Sequence, residues 1–169
     1  MAEDVEVRPA RPSDARAFLA FWSAIVAEER FVRSEVVDAS TRAYRRRFRA
    51  HSDTEIHLVA LEGDRLVGHV NVQRERHPVT RHVGSLSIAV AAGSRGRGIG
   101  TRLMEQAVAW ATRAGVEKLV LSVYPHNEAA ISLYRKFGFV EEGRLARHSR
   151  KSYGYEDEIL MASWIGSDA

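Results

Sequence analysis

From Ile99 to Thr112 the apolar residues Ile99, Leu103, Met104, Ala107, Val108 and Ala111 recur at steps of one, three and four, the period of a helix laid on a sheet. Gly115 follows as its stop. Val5 to Arg8 alternates apolar and polar side chains as a short strand does, and Pro9 and Pro12 break it. Ser13 stands where a cap is expected for a helix through about Glu28, with Phe18, Leu19, Trp22, Ile25 and Val26 on its buried side. A second helix is expected from about Ser40 to Ala50. Ile56 to Leu61 and Arg65 to Gln73 read as strands joined at Glu62-Gly63-Asp64, whose Gly-Asp pair signals a hairpin. His82 to Val90 is the next strand, and Lys118 to Val123 is another, rich in Leu and Val. Asn127 is a good N-cap for a helix through Phe137, which Gly138 ends. Val140 to about Ala146 and Tyr155 to Trp164 give two last strands, with His148 to Gly154 as a polar connection.

The order is strand, two helices, three strands, helix, strand, helix and two strands. It predicts an α/β chain of the α+β type with a mixed, mostly antiparallel sheet. The helix after Val90 must carry the chain across that sheet, as in a βαβ crossover. No repeat, low-complexity tract or linker interrupts the pattern, and 169 residues with 45% hydrophobic content suit one domain over 1–169.

Charge adds a preference for anionic ligands. The net charge is +3, and Lys118, Lys136 and Lys151 are the only lysines, so almost every base is arginine. Arg42, Arg45, Arg46, Arg47 and Arg49, interleaved with Tyr44 and Phe48, form the densest basic run. At helical spacing it reads as a solvated helix face rather than a nucleic-acid surface, and no nucleic-acid partner is expected. The chain has no cysteine, which excludes disulfides, thiolate metal sites and a cysteine acyl-enzyme. The histidines at 51, 57, 69, 77, 82, 126 and 148 lack tight ligand spacing, so no metal is expected. MAEDVEV is acidic and short of an apolar core, and no run approaches the ~20 apolar residues of a membrane span. A cytoplasmic protein without a membrane partner is the expectation.

Between the strand ending at Val90 and the helix after it lies Arg95-Gly96-Arg97-Gly98-Ile99-Gly100. A glycine-rich turn feeding a helix start suits an anion, because the first helical N–H groups lack intrahelical partners and glycine lets the backbone approach closely. A plain surface turn is the simpler alternative. A P-loop requires Gly-Lys followed by Ser or Thr, but Thr101 and Arg102 follow Gly100; a dinucleotide loop requires GxGxxG, but Gly96, Gly98 and Gly100 alternate.

A second motif lies downstream. Arg95 to Gly100 fits Q/R-x-x-G-x-G/A, and Asn127, Ala130, Leu133, Tyr134, Gly138 and Phe139 fit N-x-x-A-x-x-L-Y-x-x-x-G-F. Together they resemble the GCN5-related N-acetyltransferase (GNAT) family, over about residues 5 to 165. Glu142-Gly143, Gly154-Tyr155, Asp157 and Met161-Ala162 resemble the last hairpin of its small bacterial members that act on free amino acids and related amines.

The resemblance implies a GNAT-like fold with a βαβ acetyl-CoA-binding core, acetyl-CoA as co-substrate and a small-molecule amine as acceptor. It implies that Ile88, Ala89 and Val90 pair with the pantetheine arm, and that a backbone N–H near Val90 polarises the thioester carbonyl. Arg95, Gly96, Arg97, Gly98, Ile99, Gly100 and Thr101 would hold the pyrophosphate through amides and charge-assisted bonds. Asn127 caps its helix and, with Ala130, contacts the cofactor. Tyr134 would be the general acid at the CoA sulfur, a phenol of pKa ~10 against a thiol of ~8.5, the alternative being a buried ring against Phe137. Many relatives carry an acidic residue on the strand before the glycine loop, where this chain has Ser85 and Ser87. Glu28, Glu29, His82 or a water chain on Ser87 are the candidates for a base, and an α-amine of pKa ~8 is partly neutral without one. Three alternatives stay open: a protein N-terminal or lysine acetyltransferase, with Phe31 to Ala39 as a groove wall; a non-catalytic acyl-CoA sensor; and a homodimer through the C-terminal strands.

Overall fold

A computed structural model describes residues 5–33, 40–50 and 52–166. The chain runs β1 (Val5–Pro9), a 3-10 turn (Pro12–Asp14), α1 (Ala15–Ala27), α2 (Thr41–Arg49), β2 (Glu55–Glu62), β3 (Arg65–Arg74) and β4 (Val83–Val90). It continues through α3 (Ile99–Arg113), β5 (Lys118–Val123), α4 (Glu128–Lys136), β6 (Val140–Lys151) and β7 (Gly154–Trp164). The strands form one seven-stranded sheet in the order β1-β2-β3-β4-β5-β7-β6. All pairings are antiparallel except β4 with β5. That parallel pair is bridged by α3, the crossover expected from the sequence.

Both faces of the sheet are covered, and β2 shows how. Ile56, Leu58 and Ala60 join the core under α3, whereas Val59 and Leu61 join the aromatic core under α1 and α2. Alternate residues of one strand therefore feed two cores. α3 sets Ile99, Leu103, Met104, Ala107 and Ala111 into the first, where each large apolar side chain contributes ~1.5–3 kcal/mol on burial. It can approach because β3 offers Gly68 there: a Cβ at that position would lie 2.9 Å from Leu103 and 3.2 Å from Ile99. The second core is built on Phe18, Phe21, Ile25 and Phe48. Arg42, Arg45, Arg46, Arg47 and Arg49 stay on the exposed side of α2.

Three expectations need correction. Asp14, not Ser13, organises the start of α1: its carboxylate accepts the Arg11 backbone N–H at 2.7 Å and the Arg8 guanidinium at 2.7 and 3.0 Å, which closes a 3-10 turn before the helix. Phe21 is buried where Leu19 is only half-buried, because Phe21 packs with Phe18 in the aromatic core. The polar residues 148–151 are strand rather than connection. β6 is a sheet edge whose residues are mostly exposed, so it lacks the apolar alternation that reveals a strand, and only Ser152 and Tyr153 form the turn.

What positions the site is the β4–β5 seam. The two strands pair only at Val83 with Lys118, Gly84 with Leu119 and Ser85 with Val120. Beyond Ser85 they part, leaving the β5-facing backbone of Leu86 to Val90 without a strand partner among the described residues.

Candidate active site

The parting strands open into a cavity of about 1170 Å³. Gly96, Gly98, Gly100 and Thr101 line one end, Ser87 to Val90 and Tyr134 the middle, and Tyr124, His148 and Glu158 belong to the end under the β6–β7 hairpin.

At the glycine end, Gly98 is the N-cap of α3 with φ +80° and no side-chain cap, and Gly96 has φ +75°. An added Cβ at either would meet nothing within 4 Å. The backbone conformation, not crowding inside the protein, selects glycine there. Gly100 differs, since a Cβ would lie 3.0 Å from Leu133. The Gly98 carbonyl accepts the Arg102 N–H at 3.1 Å, so the N–H groups of Ile99, Gly100 and Thr101 precede the first intrahelical donor and are free for an anion.

The two loop arginines are already engaged. Arg95 forks onto Glu28, with contacts of 2.8 Å to each carboxylate oxygen, donates Nε to the Val90 carbonyl at 2.9 Å, and lies 5.1 Å from the Phe31 ring centre. Arg97 contacts Glu62 at 2.6 Å. Arg95 lines the cavity and Arg97 does not.

In the middle, the Ala91 N–H is donated across to Val67 at 2.9 Å. Strand alternation then turns the Val90 N–H the other way, into the gap between β4 and β5. Asn127 accepts the Ala130 N–H at 3.3 Å and so caps α4. Tyr134 is buried, with burial pushing its phenol up to about 12. Its ring neighbour is Phe139, at 5.9 Å between centres, rather than Phe137.

Of the candidates for a base, Ser87 lines the cavity. Glu28 is held by Arg95, and Glu29 accepts the Ser152 hydroxyl at 3.2 Å; neither lines the cavity. His82 sits before β4, where its carbonyl accepts the Glu117 and Lys118 N–H groups, and the structure does not bring it to the cavity. Of the Phe31–Ala39 wall, residues 34–39 lie outside the described residues; Phe31, Val32 and Arg33 line the cavity.

The model of the Acetyltransferase (GNAT) family matches residues 20–139, from α1 through α4. The chain belongs to the GNAT acetyltransferase family. As a GNAT protein it is an acetyl-CoA-dependent N-acetyltransferase. It is 33% identical over 103 residues to N-alpha-acetyltransferase 30 of Schizosaccharomyces pombe, covering 60% of this chain and 69% of that one. It is 28% identical over 106 residues to the L-amino acid N-acetyltransferase AaaT of Escherichia coli, covering 62% and 65%. The matches thus span about two thirds of these curated relatives. The crystal structure of a GNAT acetyltransferase from Streptococcus pneumoniae superposes with a TM-score of 0.90 at 30% identity, covering 96% of this chain and all of the other.

Reading the sequence alone missed several residues at the hairpin end of this GNAT cavity. Glu158 is 2% exposed and Tyr124 3%; Lys151, 6% exposed, lies behind the lining beside the Tyr124 ring. The one available signal was a charged residue in the strand Tyr155 to Trp164, just before the apolar Ile159. Among the described residues no group of three His, Asp or Glu is placed to hold a metal, and no helix is long and apolar enough to cross a membrane.

Proposed function

We propose that the protein transfers acetyl directly, in a ternary complex, to a primary amine of a small molecule such as an amino acid. The observation that carries this reading is one continuous cavity in which the uncapped start of α3, the Val90 amide and Tyr134 precede a polar end beneath the last hairpin. The free amides at the start of α3 and the open Gly96–Gly98 turn fit a pyrophosphate, and the unpaired edge of β4 fits an amide-bearing arm. Acetyl-CoA, when bound, supplies the activated acetyl thioester.

In this reading Ile99, Gly100 and Thr101 hold the diphosphate through backbone N–H groups, and Arg95 adds charge. The Val90 N–H polarises the carbonyl being attacked. Tyr134, protonated at any physiological pH, gives its proton to the departing sulfur. With no cysteine in the chain, no thiol stands between donor and acceptor.

A protein N-terminal acetyltransferase is the second reading, favoured by the 33% identity to N-alpha-acetyltransferase 30. Release of free CoA thiol from acetyl-CoA, followed with amino acids, polyamines, aminoglycosides and short peptides, separates the two. Amino acids alone should support release; activity confined to peptides establishes the second reading, and silence with every acceptor overturns both.

A further inference from the structure

We infer that Glu158 receives the acceptor's amine, with the Tyr124 hydroxyl as its second contact. This rests on reading the cavity as the acetyl-transfer site, and it places the amine end of the acceptor beneath the β6–β7 hairpin.

β7 runs antiparallel to β5, and the last pair is Val123 with Ile159. One step further, Glu158 and Tyr124 stand side by side where β5 ends, and both line the cavity. Glu158 is 2% exposed, yet its charge is weakly compensated. Oε1 accepts the Ser149 hydroxyl at 2.6 Å, and Oε2 has only the Arg33 guanidinium at 3.8 Å, on a side chain that is 66% exposed. A carboxylate taken out of water needs more than one neutral donor and one long ion pair. Oε2 accepts no hydrogen bond among the described residues.

The neighbouring tyrosine has the same deficit. The Tyr124 hydroxyl is buried and makes no hydrogen bond within 3.5 Å among the described residues, although buried phenols nearly always make one; the polar group it faces at longer range is the Ser149 hydroxyl, which is already given to Glu158. Lys151 does not fill the gap: its ammonium is held by the Val32 and Arg33 carbonyls at 2.7 and 3.2 Å. Two oxygens, one charged, thus stand side by side on residues that line the cavity, and the described residues leave both short of partners. The complement is a compact cation with several N–H donors, and a primary ammonium has three.

The chemistry balances around that contact. The acceptor arrives as R–NH3+ and Glu158 takes one proton, leaving R–NH2. Its lone pair forms the N–C bond as the C–S bond breaks. Tyr134 protonates the departing sulfur, and the second proton shed by nitrogen restores the phenol. The products are the N-acetyl amide and the free thiol, and Glu158 returns its proton to water.

The test compares wild type with Glu158→Gln, Glu158→Asp and Tyr124→Phe, using the panel acceptor that gives the fastest wild-type thiol release. Glu158→Gln should raise the acceptor KM at least ~10-fold and weaken calorimetric binding of that amine to the CoA-loaded protein by a similar factor. Glu158→Asp should recover part of this, and Tyr124→Phe should raise KM ~3-fold. Acetyl-CoA affinity should stay within about twofold throughout. Unchanged acceptor KM and binding in Glu158→Gln overturns the inference. If Glu158→Gln fails to fold, Glu158→Asp and Tyr124→Phe decide by the same two measurements. If wild type releases no thiol with any acceptor, the transfer reading fails on its own. Calorimetry of L-phenylalanine and of methylamine against the CoA-loaded protein then decides: binding lost in Glu158→Gln supports the ammonium site, and binding retained or absent in wild type overturns it.

Discussion

Arg95 and Glu28 face each other as a fork on a fork, each carboxylate oxygen 2.8 Å from a guanidinium nitrogen. The pair ties the end of α1 to the loop that precedes α3, and it divides the charge of Arg95 between a carboxylate and any incoming anion. Glu28→Gln should therefore tighten acetyl-CoA binding ~3–10-fold at low salt, with the gain shrinking as salt is added. Isothermal titration at two ionic strengths reads this directly. Reduced turnover with unchanged acetyl-CoA affinity would instead return Glu28 to the role of a base.

Gly98→Val places a β-branched residue at φ +80°, a conformation that costs such a side chain ~1–3 kcal/mol. Because a Cβ there meets no protein atom within 4 Å, the fold should survive with Tm lowered by roughly 5 °C. Relief of the strain would turn the α3 amides away, so calorimetric acetyl-CoA binding should be lost. Retained affinity would move the anion site elsewhere.

Tyr134→Phe removes one hydroxyl and leaves the ring against Phe139. Turnover should fall ~10²-fold or more, with acetyl-CoA affinity unchanged. The phenol also carries a pH signature. Burial raises its pKa to about 12, so between about 10 and 12 the unfolded chain has lost a proton that the folded one keeps, and stability falls as pH rises through that window. Denaturant unfolding should show a smaller alkaline loss in Tyr134→Phe than in wild type.

The acid side has a different origin. His69 Nε2 lies 3.0 Å from His57 Nδ1, and His57 Nε2 lies 3.0 Å from Glu55. Burial first, and then the charge on His57, holds the His69 pKa well below its usual 6.5. As pH falls below 6.5 the unfolded chain binds a proton that the folded one refuses, so stability drops by ~1.4 kcal/mol per pH unit from this group until the folded pKa is reached. His69→Gln should flatten that part of the Tm–pH curve, and an identical slope in both proteins would assign the loss to other groups.

The scaffold was legible because its signals are local and repeated. The period of α3, the hairpin at Gly63 and the cap at Asn127 each follow from a few neighbouring residues, and the crossover follows from their order. The hairpin end of the cavity was not legible. Ser149 and Lys151 lie on an edge strand with no apolar rhythm, and Glu158 turns inward on a strand whose neighbours Glu156 and Asp157 look equally solvated. The fork between Arg95 and Glu28 joins residues 67 positions apart, a distance at which sequence pattern carries no information about partners.

The stretch matched by the family model stops at Phe139, one residue before β6 begins. The carboxylate beneath the last hairpin lies beyond that stretch, while the glycine loop proposed to hold the donor lies within it. Exchanging residues 140–166 between relatives should thus carry taste for the amine without disturbing the grip on the thioester, making the junction at Gly138-Phe139 a natural place to graft.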